Sequence, residues 1–103
     1  MPRLVQESLA AWDLRDHLEY LMSRDTNVAL RFVDAVETAY RKIKDSPNTG
    51  SLWGFESERL RSVRAFLVPG FPNHVIFFRN TEDEVRVLRV LHASRDIARE
   101  FRT

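Results

Sequence analysis

The sequence predicts an α+β fold: a helical hairpin packed on a small twisted antiparallel β-sheet, with a short C-terminal helix. Two long stretches in the first half carry apolar residues at helical spacing, with only a few turn-forming residues between them. Three short β-prone runs in the second half are divided by brief turns, which favour antiparallel neighbours. Neither helix can bury its apolar stripe fully on the other, so both need a sheet to lie on.

The elements follow in order. Arg3 to Gln6 is short and β-compatible and reads as an edge strand. Glu7 to Arg24 reads as a helix, because Leu14, His17, Leu18, Leu21 and Met22 fall at i, i+3, i+4, i+7 and i+8. Ala10 and Ala11 extend that stripe by a turn. Arg24-Asp25-Thr26-Asn27 supplies a turn and a choice of N-cap residues. The second helix runs from about Asn27 to Asp45, with Val28, Phe32, Ala35, Val36, Ala39 and Ile43 on its apolar face. Glu37 and Arg41 sit outside at i, i+4 in the favourable order. Ser46-Pro47-Asn48-Thr49-Gly50 ends it.

The sheet is expected to have about four strands. Leu60 to Val68 is β-compatible and stops at Pro69-Gly70. His74 to Arg79 is a dense run around Val75, Ile76, Phe77 and Phe78. Asn80-Thr81-Glu82-Asp83 is a polar turn, and Glu84 to His92 is the last run. Alternation fails in that run: Val85, Val87 and Leu91 share one parity with Arg89, while Leu88 and Val90 share the other with Arg86 and His92. Either a bulge shifts the register or both faces are partly covered. Ser94 then caps a final helix through Ile97 and Phe101.

A length of 103 residues points to one domain over 1–103, able to bury a modest core without disulfides or metals. The chain has no cysteine, no run of roughly 18 apolar residues and no secretory-type apolar start. A reducing cytoplasm is the expected location, with no membrane partner. Residues 1–58 hold 7 basic and 10 acidic groups, a net of −3; residues 59–103 hold 9 basic and 5 acidic groups, a net of +4. All nine of those basic residues are arginine, whose planar fork suits carboxylates and phosphates.

The candidate chemistry is thin. An RNA-cleaving site needs clustered Lys or Arg and a proton carrier such as Tyr, His or Glu. Arg61, Arg64, Arg79 and Arg89 are available, and His92 and Glu58 are possible proton carriers. Yet the only lysines, Lys42 and Lys44, end the second helix, and Tyr20 and Tyr40 both lie in the helical half. Phe101 in the final helix carries no proton, and a net charge of +1 is small for a protein working among nucleic-acid phosphates. His17 is expected to pack on the sheet or the second helix, His74 to be exposed or partly paired, and His92 to bond a nearby backbone group. No histidine pair has metal-ligand spacing, so neither metal nor cofactor is expected. Trp12 lies off the main stripe and either anchors an interface or covers the sheet edge. Trp53, in Ser51-Leu52-Trp53-Gly54-Phe55, is expected to pin that loop to the core. Asp96 suits a helix N-terminus and Arg95 does not, so Arg95 is expected either to have a structural partner, a carboxylate or a sheet-edge carbonyl, or to bind a target.

Several segments together resemble one family. They are Asp13-Leu14, Ala29-Leu30-Arg31-Phe32-Val33-Asp34-Ala35-Val36, Pro47-Asn48-Thr49-Gly50, Leu60-Arg61, Val75-Ile76-Phe77-Phe78-Arg79 and Val90-Leu91-His92-Ala93-Ser94-Arg95-Asp96. Over nearly the whole chain they are similar, in the right order, to the small bacterial toxins of the RelE/ParE superfamily, on its ParE side. That resemblance implies a helical hairpin over a twisted antiparallel sheet. It implies the toxin of a type II toxin–antitoxin pair of the plasmid-stabilisation kind, silenced by a cognate ParD-like antitoxin. It implies DNA gyrase as the target, with no direct sequence-specific nucleic-acid binding by the toxin alone. The residues expected to meet target or antitoxin are Arg61, Arg64, Arg79, His92 and Arg95, by charge and hydrogen bonding, with no catalytic residue. The alternatives are a RelE-like endonuclease cutting messenger RNA on the ribosome, and a module that only pairs with its antitoxin.

Overall fold

A computed structural model describes residues 2–102. The order is β1 (Arg3–Gln6), α1 (Ser8–Arg24), α2 (Thr26–Asp45), β2 (Ser51–Leu52), β3 (Arg64–Val68), β4 (Phe71–Asn80), β5 (Glu84–His92) and α3 (Ile97–Glu100). The α+β hairpin-on-sheet architecture is the expected one. Asp25 is both the C-cap of α1 and the N-cap of α2; its carboxylate accepts from the backbone N–H of Asn27 and Val28. A one-residue joint leaves the helices no choice but to fold back on each other.

The sheet has five strands in the order β1-β5-β4-β3-β2. It is mixed, not wholly antiparallel, because β1 runs parallel to β5 with Leu4 opposite Val85 and Gln6 opposite Val87. The helical hairpin follows β1 directly, so no hairpin turn ties β1 to a neighbour and its direction is free to be parallel. The first expected strand is shorter than its pattern: Glu58–Leu60 winds into a 3₁₀ turn, and pairing begins only at Arg64. Gly70 at φ 81 closes the β3–β4 turn behind Pro69.

The broken alternation in β5 has both expected causes. Between Phe77 and Phe78 the partner steps from Arg89 to Val87, leaving Leu88 as the extra residue of a bulge. Val85, Val87 and Val90 therefore share the helix-facing side with Ile76, Phe78, Phe32, Val36, Ala39 and Ile43. Leu88 and Leu91 join Val75 and Phe77 on the other side, covered by Leu60, Val63, Ile97 and Phe101. The loop before β3 and the short α3 thus form a second layer that completes the burial of the sheet. Asp96, not Ser94, caps α3, its carboxylate accepting from the Arg99 N–H at 3.2 Å.

Candidate functional site

β1 ends opposite Val87, so β5 beyond that point lacks a strand neighbour on one side. α1 closes this gap. Asp13 accepts from the Val90 N–H at 3.0 Å and grips Arg89 with both oxygens, at 2.8 Å to Nε and 2.9 Å to Nη2. Arg89 reaches onward to the Glu100 carbonyl at 2.9 Å and its carboxylate at 3.2 Å. The Asp13 hydrogen bond holds the Arg89 guanidinium above its ordinary pKa despite burial. Glu100 also meets Arg95 at 3.5 Å, which is the carboxylate partner anticipated for that residue. One guanidinium thus joins α1, β5 and α3.

The three histidines converge beside this ion pair. His74 lies 4.1 Å from His17 and 5.0 Å from His92, ring centre to centre. His17 packs on Phe32 of α2 at 4.8 Å, as expected. His74 departs from expectation: it is half-buried, and neither ring nitrogen has a hydrogen-bond partner. The α1 stripe and the aromatic residues Phe32 and Phe71 bury it, which a reading of its own strand did not reveal. Burial first, and the neighbouring imidazoles second, push its pKa down to about 4. Burial also lowers His17. His92 bonds backbone as expected, its Nδ1 accepting from the Ser94 N–H at 3.1 Å.

Of the five candidate binding residues the structure brings only two together. His92 and Arg95 line a cavity of about 80 Å³ with Asp13, Asp16, His17, His74 and Arg89. Arg64 and Arg79 lie across the sheet. Arg64 pairs with Phe78 and so lies on the helix side, where it donates to the carbonyls of Asn48, Thr49 and Gly50 at 2.7, 3.1 and 3.2 Å. Arg79 belongs to the opposite face, donating to Ser62 Oγ at 3.0 Å and the Arg59 carbonyl at 2.7 Å. Arg61 is exposed, just after the 3₁₀ turn and outside any strand. These arginines do not share one face.

Sequence reasoning missed Asp13 as an organising residue. Its position one residue before Leu14, at the border of the apolar stripe, was the available signal. Tyr40 donates to Gln6 Oε1 at 2.7 Å, and burial raises its pKa, so it joins α2 to β1 as a neutral group. Among the described residues no group of three or more His, Asp or Glu side chains is placed to hold a metal ion. Among the described residues no helix is long and apolar enough to cross a membrane. A larger open cleft of about 610 Å³ lies between the Trp53–Leu60 loop and α3, with Phe55, Leu60, Phe101, Arg59 and Arg102 in its wall. Trp53 stacks edge-on against Phe77 at 5.0 Å, pinning that loop as expected.

Comparison with known proteins places this arrangement. The chain is similar to a solved structure described as the chromosomal ParDE TA system from P. aeruginosa, with a TM-score of 0.71 at 22% identity, covering 89% of this chain and 96% of that one. It is also similar to the YoeB/ParE toxin from Agrobacterium tumefaciens, with a TM-score of 0.56 at 17% identity, covering 87% of this chain and 97% of that one. At these identities the likeness speaks for the fold alone. No curated protein gives a significant match. The family model of the ParE toxin of the type II toxin–antitoxin system, parDE, matches residues 4–97. With nearly its whole length matched and the hairpin-on-sheet fold in place, the chain belongs to the ParE toxin family of type II toxin–antitoxin systems.

Proposed function

We propose that this ParE-family toxin acts by binding and not by bond cleavage, that its target is DNA gyrase, and that a ParD-like antitoxin holds it silent. The observation that carries the non-catalytic reading is where the strand arginines spend their hydrogen bonds. Arg64 is taken up by three loop carbonyls, Arg79 by Ser62 and Arg59, and Arg89 by Asp13 and Glu100. A phosphoryl-transfer site needs guanidinium groups aimed at open space beside a proton carrier. Tyr40 is held neutral, and His92 Nδ1 already accepts from Ser94.

On this reading the antitoxin seats apolar side chains in the cleft beside Trp53, Phe55, Leu60 and Phe101, and its acidic residues meet Arg59 and Arg102 at the rim. The cleft's mixed wall suits an amphipathic segment that orders on binding. Arg61 and Arg95, the exposed members of the candidate set, are the target-facing cations. The test pairs two assays. Supercoiling by purified gyrase should slow when the toxin is added, and primer extension on cellular messenger RNA after induction should show no codon-linked cuts. Cuts without gyrase inhibition would replace this reading with a ribosome-dependent endonuclease. Absence of both, together with normal growth on induction, would leave a module that only pairs with its antitoxin.

A further inference from the structure

We propose that His17, His74 and His92 form an acid-released latch that holds the middle of α1 against the open end of the sheet. The rings come from three elements: His17 from α1, His74 from β4 and His92 from the last position of β5. His74 and His92 are cross-strand partners, and His17 lies over His74. Phe32 of α2 packs edge-on against both His17 and His74, at 4.8 and 5.2 Å, and Phe71 stands 6.3 Å from His74. Neutral His17 and His74 rings fit this cage. A charged ring does not, because His17 Nε2 and both nitrogens of His74 are buried with no acceptor in reach.

The surrounding charges do not offset that cost. From α1, Asp13 and Asp16 face the cavity; from β5 comes Arg89, and from the loop after it Arg95. Asp13 is already spent on Arg89 and the Val90 N–H. Asp16 favours a proton on His17, but burial and His92 outweigh it. Tyr20 stacks 6.1 Å from His17. What faces the rings from α2 and from the start of β4 is the apolar pair Phe32 and Phe71.

Lifting α1 admits water and returns His17 and His74 to the ordinary imidazole range near pH 6.5. Between that value and the depressed one of the closed state, about 4 for His74, each unit of acidification favours opening roughly tenfold per released ring. At pH 5 His74 alone multiplies the opening equilibrium by about 30. Opening also parts Asp13 from Arg89 and uncovers His92. The latch is a property of the packing and stands or falls independently of the gyrase reading.

The test is hydrogen–deuterium exchange on the full chain at pH 7.5 and pH 5.0, corrected for intrinsic exchange, for the native protein and His74→Phe. The native protein should show opening of residues 14–24 rising at least about 30-fold at the lower pH while β3 and β4 stay protected. His74→Phe, which keeps the ring stacking without that ring's titrating nitrogens, should show a clearly smaller rise, the remainder coming from His17. An equal rise in the variant, no rise in the native protein, or a uniform rise along the chain would each overturn the latch. Should His74→Phe fail to fold, an NMR titration of the native imidazoles decides. His74 titrating below about pH 5, with the α1 amide signals moving at the same midpoint, supports the latch. His74 titrating near pH 6.5 with α1 unmoved overturns it.

Discussion

Asp13 and Arg89, 76 residues apart in the chain, meet in a two-pronged ion pair with side chains only 12% and 13% exposed. Asp13 at the same time satisfies the N–H of Val90, on the stretch of β5 that has β4 on one side and no strand on the other. The pair therefore does what a sixth strand would otherwise do. It occupies the open edge and fixes the angle of α1 over the sheet.

Removing one partner leaves the other charge poorly solvated. Asp13→Asn and Arg89→Met should each cost about 3 kcal/mol. The double variant should cost clearly less than the two losses added, because it strands no charge. Urea unfolding of the four proteins measures this; additive losses would mean that the pair contributes little.

Gly50 is the sharpest backbone constraint. Its φ is 72, and a Cβ there would stand 2.3 Å from the Ala65 carbonyl oxygen. That oxygen is sheet backbone and cannot step aside. Gly50→Ala should lose about 2–3 kcal/mol, seen as a lower thermal midpoint, whereas Gly70→Ala, with open space around it, should lose less.

Stability should fall on mild acidification. His74 is held down to about 4 when folded and returns to about 6.5 when unfolded. Between those values the unfolded chain binds the extra proton, so this contribution is present in full above pH 6.5 and is lost as pH falls toward 4. The loss from His74 is at most about 3 kcal/mol, reduced by whatever solvent reaches the ring. Urea midpoints from pH 7.5 to 4.5 should trace it, and His74→Phe should flatten the profile.

Most of the architecture was legible in the sequence because it rests on local rules. Helical spacing in α1 and α2, the Pro47–Gly50 stop and the Pro69-Gly70 turn are patterns a few residues long. The parallel setting of β1 was not legible, since nothing within Arg3–Gln6 encodes a neighbour's direction. The broken parity of β5 announced either a bulge or two covered faces; deciding that both held needed the partner strand. The site was legible by residue type more than by place. Arg95 was read as needing a partner, a carboxylate, a sheet-edge carbonyl or a target, and Glu100 provides a carboxylate. Arg64 and Arg79 were grouped by strand, but their partners set them on opposite faces.

That separation yields a contrast between two arginines three residues apart. Arg64→Lys gives up the fork that spans three carbonyls and should cost about 1–2 kcal/mol of stability. Arg61→Glu changes an exposed side chain and should leave stability within about 0.5 kcal/mol while weakening growth arrest. Thermal melts alongside an induced-expression growth assay separate the two effects. Loss of arrest by Arg64→Lys at unchanged stability would reverse their roles.

The most direct measurement is a supercoiling assay with purified gyrase and the native toxin, read beside its incubation with translating ribosomes. The account predicts that supercoiling is inhibited, that added antitoxin relieves the inhibition, and that transcripts stay whole. Unimpeded supercoiling together with transcript cleavage that disappears on removing one strand guanidinium would contradict it.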